Sequence, residues 1–150
     1  MDRAALYRDI MISIRAVTAD TVITNDRISR EAGLGVVDAQ LLHWLTLRSR
    51  LLTASELAAV AGLPTSTMTR VVDRLEAAGY LTREVDPQDR RRMLLRPSPA
   101  KMAEMQQRYR AIGEATQQLM DGFTNAELAV VLRFQQALLK VSKRVRPEQD

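Results

Sequence analysis

The sequence predicts a mainly α fold with one two-stranded β-hairpin set among the helices, and three observations predict it. Apolar residues recur at three- and four-residue spacing through most of the chain, the signature of amphipathic helices. Two T-x-x-E pairs, Thr53 with Glu56 and Thr124 with Glu127, mark helix starts, since hydroxyl and carboxylate each satisfy a first-turn N–H. Between them, Tyr80–Val85 and Arg92–Arg96 read as strands on either side of the polar turn Asp86-Pro87-Gln88-Asp89-Arg90-Arg91.

Leu6, Ile10, Ile14 and Val17, flanked by Met11 and Thr21, form the stripe of a first helix that ends before the loop at Gly33 and Gly35. Asp38 is expected to open a second helix. Its Leu41, Leu42, Trp44, Leu45 and Leu47 make a broad apolar face, and Arg48 and Arg50 sit at the C-terminal end that favours cations. A third helix starts at Thr53, turns Leu57, Ala58 and Ala61 inward, and stops at Gly62, which tolerates the left-handed conformation of a helix end. Leu63 and Pro64 leave room only for a sharp turn into a fourth helix. Two starts fit it: Thr65 as the cap with Pro64 outside, or Pro64 in the first turn, where its missing N–H does no harm.

On the fourth helix Met68, Val71, Val72 and Leu75 follow i, i+3, i+4, i+7 and face the core. The opposite side carries Ser66, Arg70, Asp73 and Ala77, flanked by Thr69 and Arg74. Asp73 would repel phosphates if this helix lay flat on a polyanion, so docking by its N-terminal end is expected, where backbone N–H groups attract phosphate. Thr65, Ser66, Thr69 and Arg70 are the candidate readers of base edges. A solvated helix face is the bland alternative for such a helix alone. Gly79 ends it, and the hairpin that follows is too small to be stable without helices beneath it. Two short helices across a sharp turn, then a hairpin tipped with arginine, make a winged helix-turn-helix. A run of three arginines is usually a solvated charge run; at a hairpin tip after a helix-turn-helix, Arg90, Arg91 and Arg92 are placed to reach phosphates and the minor groove.

Ser98 and Pro99 supply a cap and a first-turn proline for a fifth helix with the stripe Met102, Met105, Tyr109, Ile112, Thr116 and Leu119. A sixth, from the second capping box, carries Leu128, Val131, Leu132, Gln135, Leu138, Leu139 and Val141. The basic tail from Lys140 to Arg146 reads as a solvated helix end. The first, fifth and sixth helices carry more apolar surface than one small winged helix can cover. Residues 1–35 and 98–146 are therefore expected to form N- and C-terminal dimerisation helices around a DNA-binding lobe at 36–97, within a single 150-residue domain. The competing arrangement is a monomer whose terminal helices fold back on its own core.

Composition narrows the function. The chain has 46% hydrophobic and 27% charged residues, ordinary for a globular protein, and a net charge of +4. From Arg48 to Arg96 nine arginines face six carboxylates, so a net +3 lies in the third of the chain where a polyanion would dock. There is no cysteine, which excludes disulfides, thiolate metal sites and thiol oxidation as a signal. One histidine excludes a multi-His metal site in a single chain, and no cofactor is expected. No apolar run reaches the roughly 18 residues of a membrane span, and the opening MDRAALYRDI has no secretory core, so a cytoplasmic location is expected. No carboxylate pair, phosphate loop or His-centred pair suggests catalysis. A winged helix used only for protein contact is the alternative function, and salt separates the two, because phosphate contacts weaken steeply with ionic strength.

The run LTASELAAVAGLPTSTMTRVVDRLEAAGYLTREVDPQDRRRMLLRPSPA resembles the MarR family of bacterial transcription regulators. The likeness rests on Ser66-Thr67-Met68-Thr69-Arg70, on Val72-Asp73-Arg74-Leu75-Glu76 and on the wing motif Asp89-Arg90-Arg91, and it is strong over about residues 36–100. It implies that Thr67 and Arg74 join the DNA contacts, that Arg91 is the wing-tip arginine entering the minor groove, and that Asp89 orients the wing. Two departures bear on this. Pro64 stands where a serine cap is common, at the entry of the reading helix, and Arg96-Pro97-Ser98-Pro99 replaces the usual L-T-x-x-G exit from the wing. The family further implies a homodimer on a pseudo-palindromic operator in double-stranded DNA. It also implies repression, relieved by a small aromatic or anionic effector between the dimer helices and the DNA-binding lobe. Met11, Arg15, His43, Trp44 and Tyr109 are the side chains nearest such a pocket by this analogy, although Trp44 and His43 also fit plain roles as a core aromatic and an exposed imidazole.

Overall fold

The computed structural model describes residues 2–145, so Arg146 of the expected basic tail lies outside the described residues. Two compact units make up the chain, one running to Ser49 and the other beginning at Arg50.

The first unit holds α1 (Arg3–Glu31) and α2 (Val36–Thr46), which pack against each other. In α1 only Ile28 and Ser29, near its C-terminus, are buried. The expected stripe is thus largely uncovered, with Leu6 39% and Val17 63% exposed. In α2 the cap is Gly35, so Asp38 does not open the helix but lies in its first turn, where its charge still meets the positive end of the helix dipole. Leu41, Leu42 and Leu45 are buried and Trp44 half-buried, while Leu47 is exposed because it is the C-cap, beyond the helical face.

The second unit begins with β1 (Leu52–Thr53) and continues through α3 (Ala54–Ala61), α4 (Thr65–Ala77), β2 (Leu81–Val85), β3 (Met93–Pro97), α5 (Pro99–Met120) and α6 (Asn125–Arg144). Thr53 both ends β1 and caps α3: its hydroxyl accepts from Glu56 N–H at 3.2 Å while its own N–H donates to Glu56 Oε2 at 2.8 Å. Gly62 takes φ 65°, which lets Leu63 N–H reach Ala58 O at 3.1 Å and turns the chain sharply into α4. Neither expected start of α4 is adopted. Pro64 is itself the N-cap, extended at ψ 144°, and Thr65 is the first helical residue. Proline offers no side-chain acceptor, so no side chain caps the first-turn amides.

Met68, Val71, Val72 and Leu75 are buried, as the spacing predicts, together with Leu57 and Ala58 of α3. At about 100° per residue these four fall on one side of α4, and closing them off from water is what holds α3 against it. Gly79, at φ 74°, closes α4, with Tyr80 N–H on Leu75 O at 2.8 Å; the turn sends Tyr80 into the core and starts the strand one residue later than expected. The return strand also starts one residue later, because Arg92 N–H is spent on Asp89 O at 2.9 Å inside the turn.

The hairpin gains a third strand that the sequence reading does not contain. The antiparallel sheet has the order β1-β3-β2, with Leu52 opposite Leu95, Thr53 opposite Leu94 and Arg83 opposite Leu95. Leu52, Leu81 and Leu95, one from each strand, are all buried. The wing is thereby stitched to the residue that caps α3, which relieves the marginal stability of an isolated hairpin. Ser98 caps α5 with Pro99 in its first turn, and Thr124 and Glu127 form the expected capping box of α6. No residue of α5 or α6 is buried; only Lys101, Met102, Met105, Tyr109 and Leu128 are half-buried.

Candidate nucleic-acid interface

The fourth helix presents Thr65, Ser66, Thr67, Thr69, Arg70, Asp73 and Arg74, all exposed, opposite its buried stripe. Thr65, Ser66 and Thr67 lie in the first turn, whose amides have no side-chain cap, so partial positive charge and hydroxyl groups share one end of the helix. Thr69 donates its hydroxyl to Thr65 O at 3.0 Å, which orients that side chain along the helix and leaves its lone pairs facing outward. Among the described residues Arg70 enters no ion pair, whereas Arg74 does have a polar or charged partner.

The liability at Asp73 is answered from the sheet. Arg83 on β2 donates from Nη2 to Asp73 Oδ1 at 2.6 Å and from Nη1 to Glu76 Oε2, and its backbone N–H donates to Glu76 Oε1 at 3.2 Å. The hydrogen bond to Asp73, followed by the field of Glu76, raises the Arg83 pKa above its usual value. One guanidinium thus pairs with two carboxylates of the helix and offsets one of their two charges, and the reason to exclude flat docking weakens accordingly.

At the wing tip two aspartates each fold the chain onto themselves. Asp86, buried, accepts from Gln88 N–H at 2.9 Å, and Asp89 accepts from Arg91 N–H at 3.1 Å and from Arg91 Nε at 3.2 Å. Short side-chain acceptors bonded to an amide two residues on are the usual device for holding a tight turn. The amide and then the guanidinium of Arg91 lower the Asp89 pKa, which favours its charged form. Arg91 remains 91% exposed, held at its root and open at its end, and Arg90 is exposed with no ion-pair partner among the described residues.

Arg92 is placed differently from its two neighbours. Its Nη2 lies 3.0 Å from Glu56 Oε1 and its Nη1 3.7 Å from Asp86 Oδ2. Glu56 also accepts from Arg50 Nη2 at 3.1 Å. The Arg50 hydrogen bond first, then the Thr53 amide and the nearby charges, bring the Glu56 pKa down to about 2. Arg83, Glu56 and Arg50 carry these networks, although the sequence suggests only a helix cap for Glu56 and a helix-end cation for Arg50, and no ion pair for any of the three. A carboxylate in a capping box is legible, but a basic strand residue gives no sign of which acid it will meet.

The side chains expected near an effector lie on α1, α2 and α5. Met11 and Arg15 are exposed on α1, His43 is exposed and Trp44 half-buried on α2 with the Arg48 guanidinium 5.5 Å from its ring centre, and Tyr109 is half-buried on α5 in the other unit. Among the described residues no group of His, Asp and Glu could hold a metal ion, and no helix is long and apolar enough to cross a membrane.

The sequence pattern of the MarR family matches residues 32–92. An uncharacterized HTH-type transcriptional regulator of Bacillus subtilis, YcgE, is 33% identical over 132 residues, spanning 88% of this chain and 85% of that one. Among solved structures, wild-type MarR from E. coli in its apo form superposes with a TM-score of 0.61 at 20% identity, covering 93% of this chain and 97% of its own. A MarR transcriptional regulator from Methanosarcina mazei superposes with a TM-score of 0.67 at 15% identity, covering 93% and 99%. The sequence matches and the winged helix-turn-helix agree: this chain belongs to the MarR family of transcription regulators.

Proposed function

We propose that two copies of this chain bind a pseudo-palindromic operator in double-stranded DNA and repress transcription there, in the cytoplasm, until a small molecule releases them. The observation that carries the DNA reading is the pairing of an uncapped, hydroxyl-rich α4 N-terminus with an exposed Arg90-Arg91 wing tip in one compact unit. Thr65, Ser66, Thr67, Thr69 and Arg70 read base edges in the major groove, with Arg74 at the flank. Arg90 and Arg91 reach phosphates and the minor groove, with Asp89 as the brace of Arg91.

The dimer reading rests on apolar surface. α1 leaves Tyr7, Met11, Ile12, Val22 and Ile23 more than half exposed, and α6 leaves Val130 and Leu132 in the same state. With Leu119 of α5, also more than half exposed, the apolar area lies on three helices from both chain ends; it is covered in water only by another surface, and a second copy supplies a matching one. By role, residues 1–35 and 98–146 then form the dimerisation helices and 36–97 the DNA-binding lobe.

An aromatic or anionic effector would meet Met11, Arg15, His43, Trp44 and Tyr109, side chains that the family resemblance nominates. Such a ligand releases DNA only by favouring a spacing of the two lobes that no longer matches two half-sites, and only as far as its affinity differs between the two states. Selection of bound duplexes from a random pool tests the whole reading. A two-fold symmetric site, bound with an affinity that falls steeply with salt, is the expected result; salt-insensitive binding with no sequence preference would overturn it.

A further inference from the structure

Of the three consecutive arginines in the wing, we infer that Arg92 does not contact DNA but fixes the pitch of the wing against α3, acting through Glu56. Arg92 is thus a positioning residue for Arg90 and Arg91. This rests on the DNA reading above for its consequence, but its geometry stands independently.

The two oxygens of Glu56 divide their duties. Oε2 accepts the Thr53 N–H at 2.8 Å and completes the capping box, while Oε1 takes Arg50 Nη2 at 3.1 Å and Arg92 Nη2 at 3.0 Å. Thr53 is paired with Leu94 across the sheet, which brings the cap of α3 beside the root of the wing turn. From the other side Arg92 faces Asp86, whose side chain is only 10% exposed and whose N–H donates to Arg92 O at 2.9 Å. One guanidinium therefore spans a carboxylate of the helix-turn-helix and a carboxylate of the wing.

The charge-assisted hydrogen bond to Glu56 constrains direction as well as distance, and the 3.7 Å ion pair with Asp86 adds attraction from the wing side. With Asp86 also holding Gln88 N–H at 2.9 Å, the whole turn from Asp86 to Arg92 is tied to α3 through Arg92. The Arg92 side chain is 42% exposed, less than half the exposure of Arg91, and its charge already faces two carboxylates. Arg91, by contrast, is 91% exposed and braced only at its root. The wing thus separates a structural arginine from two that are presented to a partner.

The test uses the full chain with Arg92→Met, Glu56→Gln, both together, and Arg91→Ala. Glutamine keeps the capping hydrogen bond and removes the charge. Against the duplex obtained by selection, Arg91→Ala is expected to lower the slope of log affinity against log salt by about one phosphate contact. Arg92→Met and Glu56→Gln should each weaken binding roughly fivefold with the slope unchanged, and the double variant should be no weaker than the worse single one. A slope lowered by about one in Arg92→Met, parent affinity in either single variant, or additive losses would overturn the inference.

Hydrogen exchange decides the geometry without DNA. The amides of Asp86, Gln88 and Arg92 should exchange faster in both Arg92→Met and Glu56→Gln than in the parent. Unchanged exchange in Glu56→Gln would overturn the latch even if the parent binds DNA. A parent that binds no duplex would sink the DNA reading alone, leaving the latch to be judged by exchange.

Discussion

Arg83 on β2 places its Nη2 2.6 Å from Asp73 Oδ1 on the exposed side of α4, ten residues back along the chain. The contact turns an acidic spot on the reading helix into one half of an ion pair, and it also ties the first strand of the wing to the end of that helix. Both consequences concern DNA: one through charge, the other through the angle between helix and wing.

Replacing Arg83 with Met should therefore weaken operator binding by roughly tenfold, since two carboxylates are then left facing phosphates. Adding Asp73→Asn to that variant should restore much of the loss. Fluorescence anisotropy with a labelled operator measures both. If the double variant binds no better than Arg83→Met, charge masking is not what Arg83 does.

Arg91→Ala should reduce affinity on all duplexes alike, whereas changes at Ser66 or Arg70 should alter which sequence is preferred, by roughly 1–3 kcal/mol for a lost bidentate base contact. Competition gel shifts with operator and scrambled DNA separate the two effects. Arg91→Ala binding as tightly as the parent would remove the wing from the interface.

Acid should act on the α3 cap in a definite direction. The Glu56 pKa is lowered from 4.5 to about 2, so the charged form is the one favoured by folding. Its contribution is complete above the unfolded value and is lost as pH falls through the folded one. Glu56→Gln should cost about 1 kcal/mol near neutrality, in keeping with partly solvated ion pairs. That cost should shrink between pH 4.5 and 2, as read by urea unfolding at several pH values. A difference that stays constant over that range would mean that the Glu56 charge contributes nothing to the fold.

Leu132 on α6 is 55% exposed in the single chain. Under the dimer reading a carboxylate there would be driven into an apolar interface, so Leu132→Glu should shift sedimentation from the mass of two chains to that of one. The far-ultraviolet spectrum should still show folded winged helices. An unaltered dimer would place the interface elsewhere.

The core of the helix-turn-helix should respond as a packed one. Leu75, fully buried on α4, should cost about 2–5 kcal/mol when cut to Ala, measured by chemical denaturation. A cost below 1 kcal/mol would contradict the close packing of α3 on α4.

Much of the site was legible because it is local. Thr53 and Glu56, or Met68, Val71, Val72 and Leu75, express their relation within one or two helical turns, so spacing alone reveals caps and faces. The same holds for Asp89 and Arg91, two residues apart at a turn. β1 escaped because two residues carry no period; only its pairing with Leu94 and Leu95 makes it a strand. Adjacency groups Arg92 with Arg90 and Arg91, yet its partner Glu56 is 36 residues away.

By itself the sequence determined the order of the helices, the capping boxes, the buried stripe of α4 and the membership of Ser66, Arg70, Arg90 and Arg91 in one exposed, cationic segment. Those follow from backbone periodicity and from hydrogen bonds that close within a few residues. Tertiary structure alone decided which charges are already spent: Asp73 and Glu76 on Arg83, and Arg92 on Glu56 and Asp86. The reason is physical, since a charged side chain takes its nearest opposite charge in space, and that neighbour is chosen by the turn at Gly79 and the register of the sheet, not by distance along the chain.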